Sequence, residues 1–357
     1  MKLHSIELRD FRSYEQQRFD FEPQGNLIIG PNGSGKTNLL EAIAYTSIGK
    51  SIRYHSDSDL LRQQADGFGL TARYQTDLNS DLAVQLSYQE NRKILKINDV
   101  ISKQLSDLVS RVKVIYLAPD DIGLINGSPR IRRQYFDFAI SQLFPAYLAL
   151  LRAYLHIVDQ RNRLLKTEPG KSEKRSWDLR FIEALLSLYP YRKKYLELLN
   201  AELQGDFARI SDNTRQISIS YEPALKDAFA LDQESLIAHL ESIAPKELLW
   251  QRSLVGAHLD DYNFRISGSS MQSFASQGQK RIAVIILKLI QANLVKETTG
   301  IVPILLFDDI FAELDAQHSE RIRDLASSSC QIFVAAPKED IAQIFGSMNT
   351  IRLGEGL

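Results

Sequence analysis

The chain reads as an α/β protein interrupted by a mainly helical insert, and three observations predict it. The apolar run Leu27-Ile28-Ile29 leads through Gly30-Pro31-Asn32-Gly33-Ser34-Gly35-Lys36-Thr37 into Asn38-Leu39-Leu40-Glu41-Ala42-Ile43-Ala44, a strand, a glycine-rich turn and a helix in that order. From residue 262 onward, strand patterns at 262–266, 303–307 and 331–336 alternate with a helical pattern at 276–296. Between the two halves, roughly 100 residues carry leucines and aromatics at helical spacing.

Taken in order, residues 2–30 are β-rich, with Leu3, Ile6, Leu8, Phe19 and Phe21 apolar. The stretch from Gly30 to Thr37 fits the phosphate-cradling pattern GxxxxGK[ST] at every constrained position. Its glycines let several backbone N–H groups converge, the helix start adds its positive dipole end, Lys36 adds a mobile cation, and Thr37 can place a hydroxyl on Mg2+. Gly30, Asn32, Gly33, Ser34, Gly35, Lys36, Thr37 and Asn38 are therefore candidate nucleotide contacts, although a plain strand-to-helix turn would use similar residues. Leu82, Val84, Leu86 and Tyr88 alternate along an antiparallel strand, 94–97 forms another, Asn98-Asp99 turns the chain, and 112–117 is a further strand.

The helical part comprises 138–166, with Pro145 tolerable only near a helix start, 177–210, broken or kinked at Pro190, and 232–240. No apolar heptad persists for three or four repeats, so no long coiled coil is expected. The boundaries read as 1–117 and 251–357 for the two parts of the α/β portion and 118–250 for the insert.

Bulk composition sets limits. With 357 residues, 44% of them hydrophobic, the chain can fill two or three domain cores. Its 43 basic and 44 acidic residues give a net charge of -1, so any polyanion-binding surface must be local. Residues 127–200 carry 14 Lys and Arg against 7 Asp and Glu, whereas 201–261 carry 5 against 11, a basic half beside an acidic half. One cysteine, Cys330, excludes an intramolecular disulfide framework and suits a reducing cytoplasm. No apolar run reaches the roughly 18–20 residues of a membrane span, and Met1-Lys2-Leu3-His4-Ser5 lacks a signal-peptide core.

Two further stretches carry chemistry. Ile304-Leu305-Leu306-Phe307-Asp308-Asp309 is an apolar strand ending in two carboxylates. The first can hold the Mg2+ that Thr37 touches, and the second can orient or deprotonate an attacking water. Strands also end in Asp simply to start the next turn. Ser276-Gln277-Gly278-Gln279 opens a strongly apolar helix, which suits either an anion site or ordinary capping.

In this order the three elements resemble the ATP-binding-cassette ATPases: P-loop, Ser-x-Gly-Gln signature, paired-Asp strand 32 residues after Ser276, and a D-loop-like Glu313-Leu314-Asp315. Separation of Lys36 from Ser276 by 240 residues is similar to chromosome-maintenance and recombination ATPases. The likeness narrows to the RecF family. It rests on Phe11-Arg12-Ser13-Tyr14, residues 26–43, Gly49-Lys50-Ser51-Ile52-Arg53, Pro119-Asp120-Asp121, Gly127-Ser128-Pro129-Arg130-Ile131-Arg132-Arg133-Gln134-Tyr135-Phe136-Asp137 and Asp260-Asp261. Ala257 and Leu259 depart from the family pattern, and Phe333-Val334-Ala335-Ala336-Pro337 offers no histidine where transporter-type cassettes carry a switch histidine.

The resemblance implies a P-loop ATPase head with a mixed sheet and an antiparallel β subdomain. It also implies ATP and Mg2+ as cofactors, and an ATP-sandwiched homodimer in which Ser276, Gly278 and Gln279 of one chain cap the nucleotide of another. The same ground places Arg12 among the nucleotide contacts, with a surface turn residue as the other reading; Lys36 and Asp309 are the expected catalytic residues, and Thr37 and Asp308 the metal ligands. The expected function is ATP-dependent binding of single-stranded, gapped and double-stranded DNA in recombinational repair and fork maintenance, with recombinase loading alongside RecO and RecR. Asp309, one methylene shorter than the usual Glu, implies slow, DNA-stimulated hydrolysis, below about 10 turnovers per second without DNA. Arg130, Arg132, Arg133, Lys193 and Lys194 are candidate DNA contacts, with a solvated basic face as the other reading. A different class remains open: a cytosolic cassette ATPase coupled to a protein or membrane partner. His258 beside Asp260 and Asp261 has no second histidine nearby, so a structural loop is expected there rather than a metal site.

Overall fold

The computed structural model describes residues 1–53, 56–167, 169–211, 215–225, 232–326, 330–346 and 348–354. In chain order the elements begin with β1 (Lys2–Phe11), β2 (Tyr14–Asp20), β3 (Asn26–Ile29), α1 (Lys36–Ile48), β4 (Gly67–Gln75), β5 (Asp81–Gln89), β6 (Arg92–Ile97), β7 (Val100–Ser102), α2 (Leu105–Arg111) and β8 (Val114–Leu117). There follow α3 (Gly123–Asn126), α4 (Pro129–Leu143), α5 (Pro145–Leu165), α6 (Lys171–Ser211), β9 (Ile217–Glu222), α7 (Gln233–Trp250), β10 (Asp261–Ile266), β11 (Ser269–Ser270) and α8 (Met271–Phe274). The last are α9 (Gln277–Thr299), β12 (Ile304–Asp308), α10 (Ala316–Leu325), β13 (Gln331–Ala336) and β14 (Asn349–Arg352).

Packing divides the chain into two units, Met1–Asp121 with Arg209–Asn213 and Arg281–Leu357, and Ile122–Ala208 with Thr214–Lys280. The first holds two sheets. One is antiparallel, in the order β2-β1-β4-β5-β6-β7; the other is wholly parallel, in the order β14-β3-β13-β12-β8. Leu82, Val84, Leu86 and Tyr88 are buried along β5 while residues between them are half-buried or exposed, as alternation requires of a sheet covered on one face. Every residue of β3, β12 and β13 is buried, the mark of strands covered on both faces. Helix α1 packs against strands of both sheets and buries nearly its whole length. Because the parallel strands run the same way, β3, β12 and β8 deliver their C-terminal ends to one edge, where such sheets build ligand sites.

The second unit contains α3 to α8 and the small sheet β11-β10-β9. It carries on to Lys280, whereas the sequence reading began the C-terminal head part at 251. The cause is β10, whose Asp261–Ile266 pairs antiparallel with β9 through six residues, Asp261↔Glu222 to Ile266↔Ile217. The alternating Ile217-Ser218-Ile219-Ser220-Tyr221 carried a strand signal that the helical surroundings obscured. Pro145 opens α5, as expected, but no break falls at Pro190, which lies inside the 41-residue α6. Leu185, Leu188 and Tyr189 are buried on the preceding turns, and tertiary packing of this kind outweighs the about 3 kcal/mol a helical proline costs.

Candidate nucleotide site

The turn after β3 sets the site's backbone. Gly35 caps α1 at φ 97°, a left-handed conformation, and a Cβ there would lie 2.7 Å from the Tyr14 hydroxyl. At Gly30 a Cβ would lie 2.4 Å from the Leu353 carbonyl oxygen and 2.6 Å from Ser34 Oγ. Helix α1 begins without a side-chain cap, so its first N–H groups are left for an external acceptor. The Lys36 ammonium, 3% exposed, donates to the carbonyls of Gly30 at 2.8 Å and Pro31 at 3.1 Å, folded across the loop it belongs to. Ser34 Oγ is buried without a hydrogen-bond partner. Asn32 and Gly33 are exposed, and Asn38 donates to Ser13 Oγ at 3.0 Å.

The end of β12 supplies the carboxylates. Thr37 Oγ1 donates to Asp308 Oδ1 at 2.9 Å, across 271 residues of sequence, so the two expected metal ligands meet. The other oxygen, Oδ2, accepts from the Tyr116 hydroxyl at 2.5 Å. Burial raises the Asp308 carboxyl above its ordinary range, and the two hydrogen bonds work against that rise. Burial and the adjacent carboxylate push the Tyr116 phenol well above its ordinary range, so it stays a donor. Asp309 sits at φ 51°, a left-handed conformation uncommon for a side-chain-bearing residue, and its Oδ1 is buried with no partner. Its carboxyl is also raised by burial, with Lys36 pulling it down.

Arg12, at φ 56°, donates to the buried Glu41 of α1 at 3.1 Å and to the Asp59 carbonyl at 2.5 Å. Glu41 also accepts from Ser51 at 2.6 Å. Sequence reasoning passed over Glu41, Tyr14, whose hydroxyl donates to the Gly35 carbonyl at 3.1 Å, and Tyr116. Glu41 carried a signal, being a charge among apolar residues in a buried helix; Tyr116 carried only its hydroxyl in an apolar strand.

In the second unit, Ser276 and Gln279 form a reciprocal cap: Ser276 Oγ accepts from the Gln279 N–H at 3.2 Å and Gln279 Oε1 accepts from the Ser276 N–H at 3.0 Å. Ser276 and Gly278 are exposed, and a Cβ on Gly278 would meet nothing within 4 Å. The side chain of Glu313 lies outside the described residues, while Asp315 caps α10 by accepting from His318 N–H.

The candidate DNA contacts divide. Arg132 is engaged by Asp261 through two bonds, at 2.7 and 2.8 Å, and donates to the Gly127 carbonyl at 2.8 Å, so its charge is spent inside the unit. Arg133 donates to the Asp260 carbonyl at 2.8 Å. Arg130, Lys193 and Lys194 are exposed. Part of the basic half's charge is met by carboxylates of both halves: Arg192 pairs with Asp137 and Asp260, Arg161 with Asp178 and Glu247, and Arg175 with Glu241. His258 meets Tyr154 at 2.8 Å and serves the packing of this unit, its pKa lowered to about 4 chiefly by burial.

The P-loop region fits a magnesium nucleotide. Orphaned Ser34 Oγ and uncapped α1 N–H groups need acceptors that phosphate oxygens supply, and the Thr37–Asp308 pair offers the oxygen donors a hard cation takes. The sequence matches the family described as RecF/RecN/SMC N terminal domain over residues 2–353. It is 32% identical over 347 residues to the DNA replication and repair protein RecF of Bacillus cytotoxicus, covering 95% of this chain and 93% of that protein. The RecF protein of Lactobacillus johnsonii is 33% identical over 348 residues, covering 94% and 92%. A solved structure of the recombination mediator protein RecF-ATP in the RecFOR pathway matches with a TM-score of 0.90 at 27% identity, covering 100% of this chain and 96% of that one. The SmcHead bound to the C-winged helix domain of ScpA matches in fold, with a TM-score of 0.59 at 17% identity over 99% and 94% of the two chains. A shared sequence across nearly the whole length, the same fold and a complete P-loop with its paired-Asp strand together mean that the chain belongs to the RecF family.

Proposed function

We propose that this chain is an ATP-controlled DNA-binding protein of recombinational repair and replication, in which two copies close around two ATP molecules and slow hydrolysis releases them. The observation that carries the reading is the meeting of Thr37 with Asp308 beside an Asp309 whose Oδ1 has no partner and a P-loop helix with no side-chain cap. The relatives named for DNA replication and repair, and the related structure named for its ATP form, support it.

In this reading the N–H groups of the P-loop and the start of α1 hold the phosphates, and Lys36 leaves its loop carbonyls for phosphate oxygens. Thr37 and Asp308 would hold Mg2+, which when bound neutralises charge on the transferring phosphoryl group. Asp309 is the base: its buried Oδ1 awaits a proton, and burial raises its basicity. Gly30, Asn32, Gly33, Ser34, Gly35 and Asn38 line the nucleotide side, with Arg12 reaching it from the N-terminal sheet. The cap of Ser276, Gly278 and Gln279, exposed at Ser276 and Gly278, closes on the nucleotide of a second copy. Arg130, Arg133, Lys193 and Lys194 meet DNA phosphates, so binding is sequence-independent and strongly salt-dependent. Gapped and single-stranded DNA, RecO and RecR are the proposed partners, and the cytoplasm the proposed location. Sedimentation and DNA retention with ATP, ADP and no nucleotide test the reading. Wild type is expected to dimerise and hold DNA only with ATP, and Lys36→Arg and Ser276→Arg to lose both. Equal DNA binding by a nucleotide-free monomer would overturn it.

A further inference from the structure

We propose that Tyr116 is a positioning residue of the metal site, its phenol O–H fixing the Asp308 carboxylate so that the opposite oxygen faces Thr37. This rests on the magnesium-nucleotide reading above and deepens it by naming what aims the metal-holding carboxylate.

The geometry is specific. Asp308 is 4% exposed, and each of its oxygens takes one side-chain hydrogen bond, Oδ1 from Thr37 at 2.9 Å and Oδ2 from Tyr116 at 2.5 Å. A carboxylate turns about its terminal torsion with little resistance, so a donor on one oxygen determines where the other points. Tyr116 is itself fixed. It lies on β8 opposite Leu306 of β12 in the parallel register, and its carbonyl accepts from Lys288 Nζ at 2.7 Å. Lys288 also pairs with Asp121, and Asp121 accepts from the Ala118 N–H at 2.7 Å just beyond the strand. The backbone under the ring is therefore clamped while the hydroxyl reaches the carboxylate. Strand packing does not call for the hydroxyl: Val114, Ile115 and Leu117 are apolar, and a purely apolar ring would serve the strand equally. The one bond the hydroxyl makes among the described side chains is to Asp308. Partners of metal ligands that act in this way commonly change metal affinity by about 10–100-fold when removed.

The test is equilibrium binding of a fluorescent ATP analogue to the full chain, titrated with Mg2+ and repeated without divalent metal. Tyr116→Phe is expected to need about 10-fold more Mg2+ for half-saturation, with metal-free nucleotide affinity unchanged. Tyr116→Leu, a second variant without the hydroxyl, is expected to show the same shift. In an Asp308→Asn background, Tyr116→Phe is expected to add nothing, because both changes act through one carboxylate. An unchanged Mg2+ requirement in a folded Tyr116→Phe protein overturns the proposal, as does an equal loss of metal-free affinity, which marks a merely structural role. If wild type binds the analogue with no dependence on Mg2+, and Asp308→Asn behaves like wild type, the metal-site reading itself falls.

Discussion

The arginine networks of the second unit and the nucleotide site of the first treat buried polar groups in opposite ways. In the second, Arg192 is 1% exposed and every side is met: Asp260 and Asp137 at 2.8 Å, the Ala257 carbonyl at 2.9 Å, and the hydroxyls of Tyr147 and Tyr221 at 3.0 and 3.1 Å. Arg161, fully buried, is matched as completely by Asp178, Glu247 and Ser253. In the first unit the side chains of the nucleotide site are left short: Ser34 Oγ of the P-loop and Asp309 Oδ1 after β12 have no partner, and Lys36 rests on its own loop's carbonyls. A saturated network is architecture, since nothing remains with which to bind. An unsaturated one costs stability and is tolerated where a ligand completes it.

The sharpest way to break the comparison is to remove a saturated charge. Arg192→Met leaves Asp260, 0% exposed, without its cation, and should destabilise the protein by about 3–5 kcal/mol, read by urea unfolding. A loss below about 1 kcal/mol would place this network with ordinary surface pairs.

Asp309→Asn asks the converse question of an unsaturated charge. Turnover should fall about 100- to 10,000-fold, as for loss of a general base. Stability should hold or rise, because Asn tolerates the φ of 51° and removes a buried carboxylate that lacks a partner on Oδ1. A stability loss comparable to that of Arg192→Met would abolish the distinction between the units.

These contrasts also show what the sequence could reveal. The P-loop, Asp308 and the capping Ser276 were legible because phosphate and cation binding dictate residue type and spacing within a short segment. Tyr116 was not, because its partner is 192 residues away and their meeting depends on the order of β8 and β12 in the sheet. In the basic half of the insert composition counts charges but not pairs, and Asp260, Asp261 and Glu247 of the acidic half fold back onto Arg192, Arg132 and Arg161. Helix α6 ran through Pro190 because burial of its neighbours, not local propensity, decided the matter.

The saturated network also has a pH signature. His258 is held neutral with its pKa lowered to about 4 by burial first and then by the nearby cations Arg133, Arg161 and Arg192. Below its ordinary value of about 6.5 the unfolded chain binds a proton that the folded state refuses. Stability should therefore fall as pH drops from about 6.5 toward 4 and this contribution should level off below that, by up to about 3 kcal/mol in all. Comparing unfolding of wild type and His258→Gln across that window checks it: the variant should lose this part of the slope.

The smallest expected effect separates two arginines two positions apart on α4. Arg130 is exposed, while Arg132 grips Asp261 at both oxygens. Arg130→Ala should leave stability within about 0.5 kcal/mol of wild type, weaken ATP-dependent DNA retention, and lower the salt slope by about 1. Arg132→Ala should do the reverse, destabilising the fold by about 1–3 kcal/mol through the stranded Asp261 while leaving the salt slope as it was. Salt slopes that fall equally in both variants would mean that Arg132 exchanges its carboxylate for phosphate when DNA arrives. The line between saturated and open charge would then shift with the ligand, rather than follow the boundary between the units.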